Sequence, residues 1–325
     1  MKKILSIILA LLMFASLPMA FSAEGEDTSD SKTKREIVEE FKNGLQIGTW
    51  VPYVVTDEAT QTMSENGIDF TFLGIGSDIG IETVERCEKY GIQCIISDWR
   101  LYPQGDRINL TVPSRENFDA VFSGEVINNP AVIGYNIYDE PYTEGLGKIG
   151  ETIDIFREYS SDLIPFVNLY PNVVYNTQDY LNYLDTYITE TKNDFISFDI
   201  YPLLETNVTE KNYYINLSQV SKAARENNID FWVFVQSMPF NNRNRAPSLN
   251  DMLFQMYSSL SFGATKLMHF CYGTPASGVE TFPYGIVDAD GNKTELWDIT
   301  KKANDEIHAI GDAYMKYKVN QHKGY

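Results

Sequence analysis

Eight short apolar runs, each followed by an amphipathic stretch, recur along the chain, and this repetition limits the fold more than any other feature. The runs cover residues 45–53, 68–76, 92–99, 132–138, 163–170, 195–201, 231–237 and 265–272. Helical patterns fill the gaps at 57–66, 81–90, 114–128, 146–159, 178–191, 210–227 and 248–262, and one more lies at 294–316. Successive runs begin 23 to 40 residues apart, the length of one strand-plus-helix unit. The punctuation agrees with this division. Ser248 and Asp251 have the spacing of a capping box, and Gly67, Gly91 and Gly263 stand where a helix gives way to the next strand. Strands that are apolar along their whole length belong to a sheet covered on both faces, hence a parallel one. Eight such units predict an α/β fold, a single (β/α)8 barrel over residues 35–325. An open nucleotide-binding sheet fits less well, because Gly74-Ile75-Gly76 comes after the second run and lacks the third glycine of that loop.

The ends of the chain read differently. Lys2 and Lys3 precede an apolar run to Phe21, followed by Ser22 and Ala23. This charged, apolar, small order predicts a signal peptide over residues 1–23 and a secreted protein. Residues 24–34 are polar and predict a leader. No later stretch is long and apolar enough to cross a bilayer. Without Lys2 and Lys3, 24 basic residues face 45 acidic ones. So acidic a surface repels nucleic acid and anionic membrane alike. Cys94 and Cys271 lie in apolar runs and read as small buried hydrophobes, while Cys87 is near enough to Cys94 for a bond between helix and strand. The cysteine spacing fits no zinc motif and the chain has only three histidines, so neither a metal nor an organic cofactor is expected.

In a parallel barrel, ligands meet the carboxyl ends of the strands. Those ends carry Trp50, Asp98 with Trp99, Asp139 with Glu140, Asn168 with Tyr170, Asp199 with Tyr201, Gln236, and His269 with Tyr272. Buried carboxylates without partners cost several kcal/mol, on the order of 3–5, so a ring of them marks a ligand site. Carboxylates and amides grip hydroxyl groups, and aromatic faces pack on the C–H faces of sugars. A phosphate ligand would call for more than the single Arg100 found among these positions. Trp50, Asp98, Trp99, Tyr138, Asn168, Tyr201, Gln236, His269 and Tyr272 are therefore expected to contact a carbohydrate. His269 also has a structural reading as a hydrogen-bonded barrel histidine, and Trp50, Trp99 and Tyr201 as packing residues.

The segment Ile133-Gly134-Tyr135-Asn136-Ile137-Tyr138-Asp139-Glu140-Pro141 resembles the fourth-strand motif of the clan A barrel glycoside hydrolases. Residues 195–202 and 231–237 are similar to their sixth and seventh strands. The resemblance implies that Glu140 is the general acid/base. The sequence departs from the pattern in two places. Asp139 replaces the asparagine before the acid/base, and Gln236 stands where a nucleophilic glutamate is expected. A second carboxylate would then come from Asp199, the favoured choice, or from Asp98. At about 6.5–9.5 Å from Glu140 it would activate water, and at about 5 Å it would attack directly. Asp139 is the further option, holding a proton on Glu140 by like-charge proximity. Two functions emerge as expectations: a secreted hydrolase of O-glycosidic bonds, or a carbohydrate-binding barrel that has lost its strand-seven nucleophile.

Overall fold

The computed structural model describes residues 32–74, 80–206 and 210–321. The predicted signal peptide, most of the polar leader, and Ile75 and Gly76 lie outside these residues. Eight parallel strands close into one barrel in sequential order: β1 (Gln46–Thr49), β2 (Phe70–Leu73), β3 (Gln93–Ile96), β4 (Val132–Asp139), β5 (Ile164–Leu169), β6 (Phe195–Asp199), β7 (Asp230–Gln236) and β8 (Lys266–Phe270). Closure is made by β8 pairing with β1, Gln46 opposite Lys266 and Thr49 opposite His269.

Helix α1 (Lys34–Asn43) precedes the barrel. Then α2 (Asp57–Glu65), α3 (Ile81–Lys89), α4 (Arg115–Phe122), α5 (Leu146–Tyr159), α6 (Thr177–Thr191), α7 (Tyr213–Asn227), α8 (Leu249–Phe262) and α9 (Glu295–Gln321) each come after a strand. The expected breaks are present. Gly67, Gly91 and Gly263 have positive φ, and the Ser248–Asp251 capping box is formed in both directions. All three cysteines are free and buried.

Helix α1 stands outside the strand–helix repeat. Its local signals are the Thr33–Glu36 capping box and the buried pair Val38 and Phe41. It seals the amino-terminal end of the barrel. Phe41 packs edge-on against Phe70 at 5.1 Å and Trp232 at 5.7 Å, beneath an interior built from Phe72, Ile95, Ile133, Phe166, Phe234 and Met268. Fully burying such side chains stabilises by about 1.5–3 kcal/mol each. Lys266, entirely buried, donates to the carbonyls of Lys42 (3.2 Å) and Gly44 (2.7 Å) and lies over the Phe41 ring. With one end plugged, the other is where a ligand enters.

Candidate active site

Strand β4 sets the site. Ile137 is an extra residue in its pairing with β5, since Asn136 faces Phe166 and Tyr138 faces Val167. Such a bulge twists the strand and re-aims the side chains beyond it. Past the bulge, Asp139 pairs with Asn168, and the Glu140 N–H donates to the Asn168 carbonyl at 2.9 Å. Glu140 has φ 53°, a left-handed conformation that costs a side-chain-bearing residue about 1–2 kcal/mol. Consecutive strand residues normally point to opposite faces. Here the bulge and the left-handed turn bring Asp139 and Glu140 to the same cavity.

That cavity, about 680 Å³, opens at the carboxyl ends of the strands and is lined by Asp139, Glu140, Asp199 and Glu280. Trp50, Phe234 and Phe270 give it an apolar wall, and Asn168 and Tyr201 also line it. Trp50 is held against Phe72 with ring centres 4.7 Å apart.

The acidic groups are wired together. Asn168 donates from Nδ2 to Asp199 Oδ1 at 3.0 Å and accepts from the Ser197 hydroxyl at 3.1 Å, and it pairs with Asp139 across the β4–β5 register. Burial, then the charge on Glu140, pushes Asp139 up to about 7. Asp199 is raised well above the carboxylate range by burial first and by Glu140 and Asp139 next. Glu140 is raised by burial, with Arg107 pulling down and Glu280 pushing up. A group of buried carboxyls that cannot all ionise retains protons near neutrality.

Arg107 has no place in the strand–helix repeat. It sits beside a two-stranded ribbon (Gln104–Gly105 with Leu110–Thr111) in the β3–α4 connection. Its Nη1 donates to Glu140 Oε2 at 3.1 Å and to the Glu140 carbonyl at 3.2 Å. It also bonds the Tyr170 hydroxyl, and Tyr170 stacks on Tyr142. This clamp fixes one face of the Glu140 carboxylate.

Of the residues expected from sequence, Glu140, Asp199, Asp139, Trp50, Asn168 and Tyr201 share the cavity. The others do not line it. Asp98 and Trp99 border a separate hollow with Arg100 and Tyr135. There Arg100 takes Asp98 in a two-point ion pair, and Trp99 is 69% exposed. Tyr138 is buried, stacked on Tyr102 at 4.5 Å.

Gln236 is wholly buried. Its Nε2 donates to the Leu203 carbonyl (3.0 Å) and the Arg245 carbonyl (2.9 Å), and its Oε1 accepts from the Leu203 N–H (2.9 Å). The amide thus ties the loops after β6 and β7 together. His269 bonds Ser237 (2.6 Å) and Asn304 of α9 (2.9 Å), and burial depresses it to about 4, which keeps the ring neutral. The Tyr272 hydroxyl accepts from the Trp297 indole at 3.3 Å. These polar groups satisfy buried loop and helix contacts and are not available to a ligand.

Known proteins share this architecture. A family model described as glycosyl hydrolase 42, "Beta-galactosidase", matches residues 145–310, just over half of the chain. No curated protein matches. Among solved structures, the beta-galactosidase of the psychrophilic Marinomonas ef1 superposes with a TM-score of 0.59 at 13% identity, covering 82% of this chain and 60% of its own. The beta-galactosidase of Bacillus circulans sp. alkalophilus gives 0.60 at 11% identity, covering 85% and 58%. A putative alpha-L-fucosidase of Bacteroides thetaiotaomicron gives 0.55 at 14% identity, covering 81% and 94%. At these identities the likeness is one of fold. This chain spans about three-fifths of the length of the beta-galactosidases.

Proposed function

We propose that this chain, which belongs to the glycosyl hydrolase 42 beta-galactosidase family, hydrolyses O-glycosidic bonds with Glu140 as proton donor. One observation carries this reading. Glu140 faces a carbohydrate-sized cavity at the open end of the barrel, raised by burial and clamped by Arg107. A general acid must hold its proton at working pH and surrender it at a defined position, and burial with a fixed orientation supplies both. Trp50 and Tyr201 offer faces for the sugar ring. β-Galactosides are the first substrates to test, because the family model and two of the structural neighbours carry that name.

Asp199 lies in the cavity, as a second carboxylate should. Its burial next to Asp139 and Glu140 favours the protonated form, so in this reading it holds Asn168 in place as a neutral acid rather than attacking. The alternative of a binding barrel rested on Gln236 as a spent nucleophile. The Gln236 amide is engaged by Leu203 and Arg245, which supports a structural part for it instead. Export through the segment containing Lys2, Lys3 and the run to Phe21 completes the proposal.

The pH profile tests the role of Glu140. Activity on an unactivated alkyl β-galactoside should fall on the alkaline side as Glu140 ionises, since the deprotonated form cannot donate. Arg107 stabilises the ionised form. Arg107→Met therefore raises the Glu140 pKa further, and the alkaline limb of kcat moves to higher pH. A limb that stays in place, or moves down, would show that another group governs it.

A further inference from the structure

We propose that the hollow on the outer side of β3 and β4, beside α4, is a second saccharide site, with Trp99 as its platform and the Tyr135 hydroxyl as its inner hydrogen-bonding group. The hollow measures about 390 Å³, within the range of small-molecule sites. It shares no lining residue with the cavity that holds Glu140. Asp98, Arg100 and Tyr135 line it from the barrel wall, and Val121 and Glu125 from α4 and the turn after it. Tyr135 faces away from the barrel interior, its ring packed against Phe122 at 6.1 Å and Phe156 at 5.9 Å.

Two features of the hollow point to a ligand. The first is the Tyr135 hydroxyl. Other buried tyrosines commit theirs to backbone: Tyr183 donates to the Pro141 carbonyl at 2.8 Å and Tyr187 to the Phe195 carbonyl at 3.2 Å. Tyr135 is only 1% exposed, yet its hydroxyl makes no hydrogen bond among the described residues, and the charges that act on it are those of Asp98 and Arg100. A buried hydroxyl left unpaired is destabilising. Burial, then Asp98, raises this phenol above its ordinary value, so it stays a donor at neutral pH.

The second is Trp99, which is 69% exposed. The other three tryptophans are packed, Trp50 against Phe72 and Trp232 and Trp297 in the core. The backbone around Trp99 is pinned. Its carbonyl accepts from the Tyr102 N–H at 3.3 Å and from Gln104 Nε2 at 3.4 Å. The next carbonyl, that of Arg100, accepts from Asn117 Nδ2 of α4 at 3.1 Å, and Arg100 grips Asp98 through its N–H and its guanidinium. An indole held in water on a fixed backbone is a preorganised contact surface.

The surrounding charges choose the ligand. Arg100 is neutralised by Asp98, Glu125 lines the same hollow, and the chain carries a net charge of −19, so an anion is disfavoured. A cation would meet a carboxylate already bonded to Arg100. A neutral polyol with an apolar face fits: its C–H face rests on Trp99 and a hydroxyl accepts from Tyr135. The same turn touches the wall of the Glu140 cavity on its other side, where the Tyr102 hydroxyl accepts from the Asp139 N–H at 3.1 Å. A sugar held here is therefore anchored at the same end of the barrel as Glu140, outside the barrel wall.

Fluorine NMR of the fluorotryptophan-labelled Glu140→Gln chain tests the site, with Trp99 and Trp50 assigned by replacing each with Phe. Lactose, galactobiose and cellobiose, titrated at millimolar concentration, should shift the Trp99 resonance saturably. Tyr135→Phe keeps the ring against Phe122 and Phe156 and should melt at the wild-type temperature, because the lost hydroxyl has no partner in the free protein. It should weaken the titration seen at Trp99 by about 3- to 10-fold, the scale of one hydrogen bond. If the sugars move Trp50 and leave Trp99 in place, this proposal fails and the reading of the Glu140 cavity stands. If they move Trp99 alone, the second site stands and the cavity reading fails for those sugars. If neither moves, both fail. A Trp99 shift given equally by inorganic phosphate, or full sugar affinity in Tyr135→Phe, overturns the saccharide assignment.

Discussion

Glu140→Gln is expected to fold as the wild type does and to lose at least about 100-fold in kcat on an unactivated glycoside, the scale of losing a general acid. The amide keeps the size of the side chain and can still meet Arg107 through its carbonyl oxygen, so the loop geometry survives. It has no proton to give to the leaving oxygen. Aryl glycosides with acidic leaving groups need little protonation, and their loss should be smaller. The ratio of the two losses is the diagnostic. Comparing kcat for both substrate types in wild type and variant measures it. Equal losses on both would point to a disturbed cavity, and no loss would remove Glu140 from the chemistry.

The second large effect concerns stability. Gln236→Glu should cost about 3–5 kcal/mol, the scale of an uncompensated buried charge, and should confer no new activity. The Gln236 Nε2 donates to two carbonyls, those of Leu203 and Arg245. A carboxylate oxygen in its place loses both bonds and faces two acceptors in a site with no exposure to solvent. The damage would spread, because Arg245 also grips Asp251 at 2.7 and 2.8 Å and so anchors the start of α8. Urea unfolding of the two proteins reads the difference. A Gln236→Glu variant as stable as wild type, with hydrolysis gained, would revive the view that this position once held a nucleophile.

The contrast between Glu140 and Gln236 shows where the sequence is readable. Strand–helix periodicity and glycine stops are local, and the barrel arises from them: α5 covers Leu146–Tyr159, the span its pattern indicates. Glu140, Asp199 and Asp139 can be found because carboxylates at strand ends are costly without a reason. Gln236, His269 and Tyr272 stand at equivalent places for a different reason. Gln236 satisfies buried backbone groups of the loops at the barrel mouth, and His269 and Tyr272 pair with buried side chains, Ser237, Asn304 and Trp297. A strand end tells which residues are near the mouth. Their direction depends on details such as the bulge at Ile137 and the left-handed turn at Glu140, which no period of two encodes. Arg107 and Glu280 escape sequence reasoning for a third reason. They lie on loops, where spacing carries no signal, and only the folded chain brings them to Glu140. Helix α1 is legible in principle, from Thr33, Glu36 and Phe41, but it lies outside the eight-fold repeat that dominates the pattern.

The central claim is that this barrel cleaves glycosides rather than merely holding them. The most direct measurement pairs chromatography of a galactoside panel, after incubation with the wild-type chain, with calorimetric binding of the same sugars. Free monosaccharide or shortened oligosaccharide is expected, with no cofactor added and with release abolished in Glu140→Gln. Tight binding of an intact saccharide with no product, under conditions where Glu140 is protonated, would contradict it.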